Sequence, residues 1–247
     1  MLQSTFLHIP GIGKAKELSL WHNNMRTWDD AINGAIESSI KKHCLISKEQ
    51  YESRNHWYFS ESLPLSEHWR AYPDFKDSCC FLDIETTGLD KQNNKITTIG
   101  VYNGNHSRVF VRGQDLEEFT DYIKNYSMIV TFNGRCFDLP FIKTVFPFLD
   151  LSQLHIDLRF CLKELGLKGG LKMIEKQLGF ARDDEISEVD GLEAVRLWKR
   201  YRKGEKAALQ KLVAYNKADV ENLMPLMEIA YARLKNNLLK THNLNIS

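Results

Sequence analysis

The chain has 247 residues, 43% hydrophobic and 26% charged, with 33 basic against 32 acidic side chains and a net charge of +1. At roughly 150 residues per domain this length fits one large domain or two unequal ones; the near-average composition excludes disordered, collagen-like and disulfide-stapled classes. Bulk charge names no partner. No stretch free of charged residues much exceeds a dozen residues, against the roughly 20 that a membrane span needs, and His8 and Pro10 interrupt the N-terminus where a secretory signal would run apolar.

In chain order, residues 1–75 read as helical and tryptophan-rich, with Trp21, Trp28, Trp57 and Trp69. Segment 60–78, with Pro64, Pro73 and several Ser and Asp, reads as a linker, so the expected division is a helical region 1–75 and a second domain 76–240. Residues 79–84, 96–102 and 107–111 are short β-rich runs. They are separated by turn signals at 88–94 and at Asn103-Gly104-Asn105, which predicts an antiparallel three-stranded meander. Then the period switches: helix at 116–125, strand at 128–132, helix at 139–146, strand at 154–158, and helices to about residue 236. The fold class is therefore α/β, a mixed sheet with helices on its faces. The last ten residues, through 243–247, read as a frayed end.

Five cysteines, Cys44, Cys79, Cys80, Cys136 and Cys161, are an odd number without a C-x-x-C pair. They fit a reduced, cytoplasmic chain that uses thiols as small hydrophobes, with Cys79-Cys80 opening a buried strand. The C-terminal part gathers Arg196, Lys199, Arg200, Arg202, Lys203, Lys206 and Lys211, with Glu205 the one acid among them. That cluster is a candidate phosphate-backbone footprint, through Arg200, Lys203 and Lys206, or simply a solvated helix face.

The run FLDIETTGL carries Asp83 and Glu85 at i and i+2, which puts both on one face of a strand. Carboxylates that close are costly unless a cation neutralises them, and oxygen-only ligands suit Mg²⁺ or Mn²⁺ rather than Zn²⁺. Alone, the pair reads equally as exposed acids at a strand end. The segment IVTFNGRCFDLPFI ends a strand and leads to Asp138, which could equally be a helix N-cap ahead of Pro140. In AYNKADVENL, Tyr215 and Asp219 stand at i and i+4 on one helix face, where singly they would read as a core tyrosine and a solvated acid.

Taken in order, Asp-x-Glu on a strand, Asn-x-x-x-Phe-Asp after a strand and Tyr-x-x-x-Asp on a late helix resemble the DEDD superfamily of 3′–5′ exonucleases, in the subtype with Tyr in its third motif. The stretch HIDLRFCLKELGLKGGLKMIEKQLGFARDDEISEVDGLEAVRLW, followed by YNKADVENLMPL, further resembles the YprB-like ribonuclease H-like domain family, over about residues 79–230. The resemblance implies an RNase H-like fold with a five-stranded mixed sheet and two divalent metals. It further implies Asp83, Glu85, Asp138 and Asp219 as metal holders and Tyr215 as the group that positions the attacking water. It also makes Thr86 to Leu89 border the terminal nucleotide, with Thr86, Leu89, Asn133 and Phe137 as substrate-side candidates.

The N-terminal run LHIPGIGKAKELSLW resembles the helix-hairpin-helix motif, which binds DNA without sequence preference. Gly11 and Gly13 would let backbone N–H groups approach a phosphate, Lys14 and Lys16 would add charge, and Ile9, Ile12, Ala15 and Leu18 would pack two helices. An ordinary Pro-Gly turn is the alternative. The eight histidines show no H-x-x-x-H or H-E-x-x-H spacing, and Gly166, Gly169 and Gly170 carry no Walker pattern. The expectation is a cytoplasmic, Mg²⁺- or Mn²⁺-dependent 3′–5′ exonuclease acting on a 3′ end of DNA or RNA. Its rivals are a nucleic-acid-binding module with lost or cryptic catalysis and a structure-specific endonuclease.

Overall fold

In a computed structural model that describes residues 1–180 and 191–242, strand β1 (Cys79–Thr86) is the middle of a five-stranded sheet. The order is β3-β2-β1-β4-β5, with β2 (Ile96–Tyr102), β3 (Ser107–Val111), β4 (Met128–Thr131) and β5 (Leu154–Asp157). β1–β2 and β2–β3 pair antiparallel, as two short turns require, whereas β1–β4 and β4–β5 pair parallel. The α/β mixed sheet and all five strands thus stand where the apolar, β-branched runs put them. The stretch 181–190 of the family resemblance and the frayed end expected at 243–247 lie outside the described residues.

The helices are α1 (Lys14–His22), α2 (Trp28–Asn33), α3 (Ser38–Glu52), α4 (His56–Ser62), α5 (Tyr72–Phe75), α6 (Phe119–Tyr122), α7 (Asp138–Val145), α8 (Leu158–Glu164), α9 (Leu171–Gln177), α10 (Gly191–Arg202) and α11 (Lys206–Thr241). Period-two alternation splits β1 between two cores. Cys79 and Phe81 join the core built with the N-terminal helices, α8 and α11, while Cys80, Leu82 and Ile84 join the core under α6 and α7. Asp83 and Glu85 continue the Cys79–Phe81 face and so point toward α11. At Asp83 the partner on β2 is Gly100, and a Cβ there would stand 2.9 Å from Asn216 Oδ1 and 3.0 Å from Val220 of α11. Glycine at this position is what lets α11 lie close on the sheet. No helix among the described residues is long and apolar enough to cross a membrane.

Three expectations need correction. Segment 60–78 is not a linker: it holds the end of α4, a 3₁₀ helix at Leu65–Ala71, α5 and a 3₁₀ turn at Lys76–Ser78. Its prolines cap or open these helices, where a missing N–H costs nothing, and Trp69, Ala71, Tyr72 and Phe75 are buried in the same core as Phe81 and Leu226.

The N-terminal run lacks the first helix of a helix-hairpin-helix. Only a 3₁₀ turn, Leu2–Ser4, precedes α1. Side chains satisfy this backbone instead. Glu17 accepts from Phe6 N at 2.8 Å and Thr5 Oγ1 at 2.7 Å, and the indoles of Trp21 and Trp28 donate to the Ser4 and Thr5 carbonyls. Ile9 and Ile12 are buried as expected, but Ala15 is exposed.

The helix expected at 116–125 is α6 flanked by 3₁₀ turns, Leu116–Glu118 and Ile123–Asn125.

Candidate active site

Asp83 and Glu85 meet α11 at the C-terminal end of β1. Carboxylate oxygens of Asp83, Glu85 and Asp219 all lie within 4.8 Å of one another. Burial, then the charges of Asp138, Asp219 and Glu85, hold the Asp83 carboxyl well above its usual range, against a hydrogen bond from Asn216 that lowers it. Burial, then Asp219 and Asp138, raise Glu85 in the same way, with the Lys172 charge opposing. Three desolvated acids in mutual contact are an energetic cost that a bound divalent cation removes, and the all-oxygen donor set fits Mg²⁺ or Mn²⁺.

Asp138 comes to the same place by another route. It is the first residue of α7 rather than its N-cap, and its Oδ1 accepts from Ile84 N on β1 at 3.1 Å. Burial pushes its carboxyl up to about 7, against lowering backbone hydrogen bonds. It lines the same cleft as the other three acids but lies outside their 4.8 Å group. The loop that delivers it is tied down from β5. Asp157 accepts from Asn133 N at 2.7 Å, Arg135 N at 3.1 Å and Arg159 N at 3.1 Å, with Asn133 in the left-handed region at φ 66°.

Tyr215 lies one turn before Asp219 on α11 and is buried; burial, then Asp219, Glu85 and Asp83, raise its phenol far above the usual value, so the hydroxyl stays protonated. Lys172 Nζ stands 5.3 Å from the centre of its ring.

These groups line an open cleft of about 450 Å³, together with Thr86, Leu89, Asn133 and Phe137. Every acid and the tyrosine expected from the motifs are therefore assembled in one place, with the four substrate-side candidates around them. The other candidates are elsewhere. Gly11 and Gly13 stay exposed but line no part of this cleft, and Lys14 is ion-paired to buried Glu67 at 2.7 Å. In the basic cluster Arg200 is bound to Glu205 with Nε donating at 2.8 Å, Lys203 is exposed, and Lys206 lines a separate small recess with Gln114 and Tyr201.

Three residues of this site escaped the sequence reading. Asn216 is fully buried and donates through Nδ2 to Asp83 Oδ2 at 2.8 Å, fixing that carboxylate. Its position three residues before Asp219, on the same helix face, was the available signal. Asp157 and Lys172 act across elements distant in sequence, and no local pattern marks them.

Residues 80–231 match the sequence model of the RNase H superfamily. An uncharacterized protein of Methanocaldococcus jannaschii is 27% identical over 163 residues, covering 60% of this chain and 92% of that protein. Among solved structures, the family B DNA polymerase of Pyrobaculum calidifontis superposes with a TM-score of 0.51 at 18% identity over 61% of this chain; this chain spans 24% of the polymerase. Brucella melitensis NrnC gives a TM-score of 0.47 at 18% identity, over 67% of this chain and 78% of that one.

Proposed function

The chain belongs to the RNase H superfamily, and on that footing we propose that it is a divalent-metal-dependent 3′–5′ exonuclease of DNA or RNA, of the Tyr-containing DEDD type and the YprB-like family. The convergence of Asp83, Glu85 and Asp219 within 4.8 Å beside Tyr215 carries this reading. Asp83, Glu85, Asp138 and Asp219 would hold two Mg²⁺ or Mn²⁺ ions. Ions held there would lower the pKa of a water and offset negative charge on the leaving 3′ oxygen.

The remaining work falls to the chain's own groups. Tyr215, kept protonated by burial, is a poor base and a good hydrogen-bonding partner, so it orients the attacking water. Asn216 holds the Asp83 carboxylate in one rotamer, and Asp157 holds the loop that delivers Asp138. Leu89, Phe132 and Phe137 give the cleft apolar walls against which a terminal base can pack. Residues 1–75 form a helical region before the nuclease domain 76–240 in this reading. The five free cysteines fit a reducing, cytoplasmic setting.

Incubation of 5′-labelled, 3′-labelled and circular substrates with Mn²⁺, as DNA and as RNA, tests the proposal. A ladder of shortening 5′-labelled products, immediate release of the 3′ label and an intact circle are expected. Cleavage of the circle would make the protein an endonuclease, and binding without any cleavage would make it a binding module.

A further inference from the structure

The acidic cleft on its own repels the phosphates of the substrate proposed for it, so the strand needs a cationic track nearby. Beside it lies a second open cleft of about 480 Å³, lined by Lys91, Arg135 and Lys143 with Leu139, Pro140 and Leu151. The two clefts are built on the same two loops. The β1–β2 loop gives Gly88 and Leu89 to the acidic cleft and Lys91 to the basic one; the β4–α7 segment gives Asn133, Phe137 and Asp138 to the first and Arg135, Leu139 and Pro140 to the second.

All three cations are exposed, and none of them forms an ion pair among the described residues, unlike Lys14 with Glu67 or Arg200 with Glu205. Asp90, the acid next to Lys91, is occupied locally: its carboxylate accepts from Gln92 N at 3.0 Å and Asn93 Nδ2 at 2.6 Å. Arg135 is held in place, its N–H donating to Asp157 Oδ2 at 3.1 Å and its guanidinium lying 5.9 Å from the centre of the Phe160 ring. Arg135 therefore needs little further ordering on binding, whereas the exposed Lys91 and Lys143 are ordered by the phosphates they meet.

We infer that this basic cleft carries the sugar–phosphate backbone of a single strand whose 3′ end occupies the acidic cleft, with Lys91, Arg135 and Lys143 on phosphates and Leu139, Pro140 and Leu151 beneath the sugars. The inference rests on the exonuclease reading for the direction of the strand. Its contacts are to the backbone, so DNA and RNA single strands are held alike.

The test is the full-length triple variant Lys91→Gln, Arg135→Gln, Lys143→Gln, with thermal melting to show that it folds. Binding of a fluorescent single strand of about 20 nucleotides is measured by anisotropy in EDTA, across salt, for DNA and RNA. Three phosphate contacts on a single strand contribute a salt slope of about 2, equivalent to about 100-fold in affinity at 0.1 M salt, and the variant loses both. Hydrolysis of a dinucleotide, whose single phosphodiester is the one held in the acidic cleft, keeps its rate while kcat/KM on the long strand falls. An unchanged salt slope on both sugars overturns the inference, as does an equal loss on the dinucleotide. If the triple variant does not fold, Lys143→Gln alone, at an exposed site on α7, must lower the slope by about 0.7. A wild-type chain that hydrolyses nothing refutes the exonuclease reading, while the EDTA titration still decides the cleft.

Discussion

Gly100→Ala is a one-methyl change in β2 that should reach the active site through α11. Ordinarily, replacing glycine by alanine in an extended strand stabilises by about 0.4–1 kcal/mol, because the unfolded chain loses freedom. Here the added Cβ would stand 2.9 Å from Asn216 Oδ1 and 3.0 Å from Val220 Cγ1. The Asn216 amide is fully buried and tied to Asp83 Oδ2 at 2.8 Å, so it cannot swing aside. The helix must move outward by a few tenths of an ångström, and overpacking of this kind costs about 1–3 kcal/mol. For a chain of this length that is a fall in Tm of roughly 2–12 °C. Tyr215 and Asp219 ride on the same helix. If a misplacement of 1 Å costs about 100-fold, a shift of about 0.3–0.5 Å should lower turnover roughly four- to tenfold. Differential scanning calorimetry and a single-strand hydrolysis assay read the two effects. A Tm that rises, with turnover unchanged, would show that α11 does not bear on β2 at Gly100.

Metal-free protein should lose thermal stability as pH rises from about 4 to about 7. The carboxyls of Asp83, Glu85 and Asp138 are raised above their unfolded values, Asp138 to about 7, so the folded state binds more protons across that window. Added Mn²⁺ should abolish the decline, and Asp83→Asn should shrink it while raising metal-free Tm; a Tm independent of pH and Mn²⁺ contradicts the cluster. Tyr215→Phe should lower turnover by about ten- to a thousandfold with KM and Tm little changed, whereas a drop in Tm with full specific activity makes Tyr215 a core residue only. Arg70→Ala should destabilise by about 3–5 kcal/mol, because Arg70 donates to Glu17 at 2.9 Å and Glu67 at 2.8 Å in a fully buried triad. Urea unfolding with a near wild-type midpoint would refute that role.

The sheet was legible because each strand is a short apolar run between strong turn signals, and because Asp83 and Glu85 share a face by period two alone. Tyr215 and Asp219 were legible for the matching helical reason. Part of what escaped had a local signal, and part depends on contacts across long separations. In residues 60–78 Pro64 and Pro73 hid a buried helical segment, although Trp69, Tyr72 and Phe75 at intervals of three carry the helical period. Arg70 reads as a surface charge until Glu17, 53 positions away, is seen beside it. Likewise, only the structure shows that Arg200 in the cluster at 196–211 is paired with Glu205, and only the fold brings Lys91, Arg135 and Lys143 together. In the N-terminal run, glycine spacing marked a turn correctly but said nothing of what precedes it, and buried Glu17 replaces the missing helix.

The most direct test of the account is the rate at which wild-type protein and Asp83→Ala, both shown to be folded, degrade a 5′-labelled single strand in Mg²⁺ and in Mn²⁺. The carboxylate cluster as a metal-dependent hydrolytic centre predicts stepwise shortening by the wild type and none by the variant in either metal. Near wild-type degradation by Asp83→Ala would falsify it.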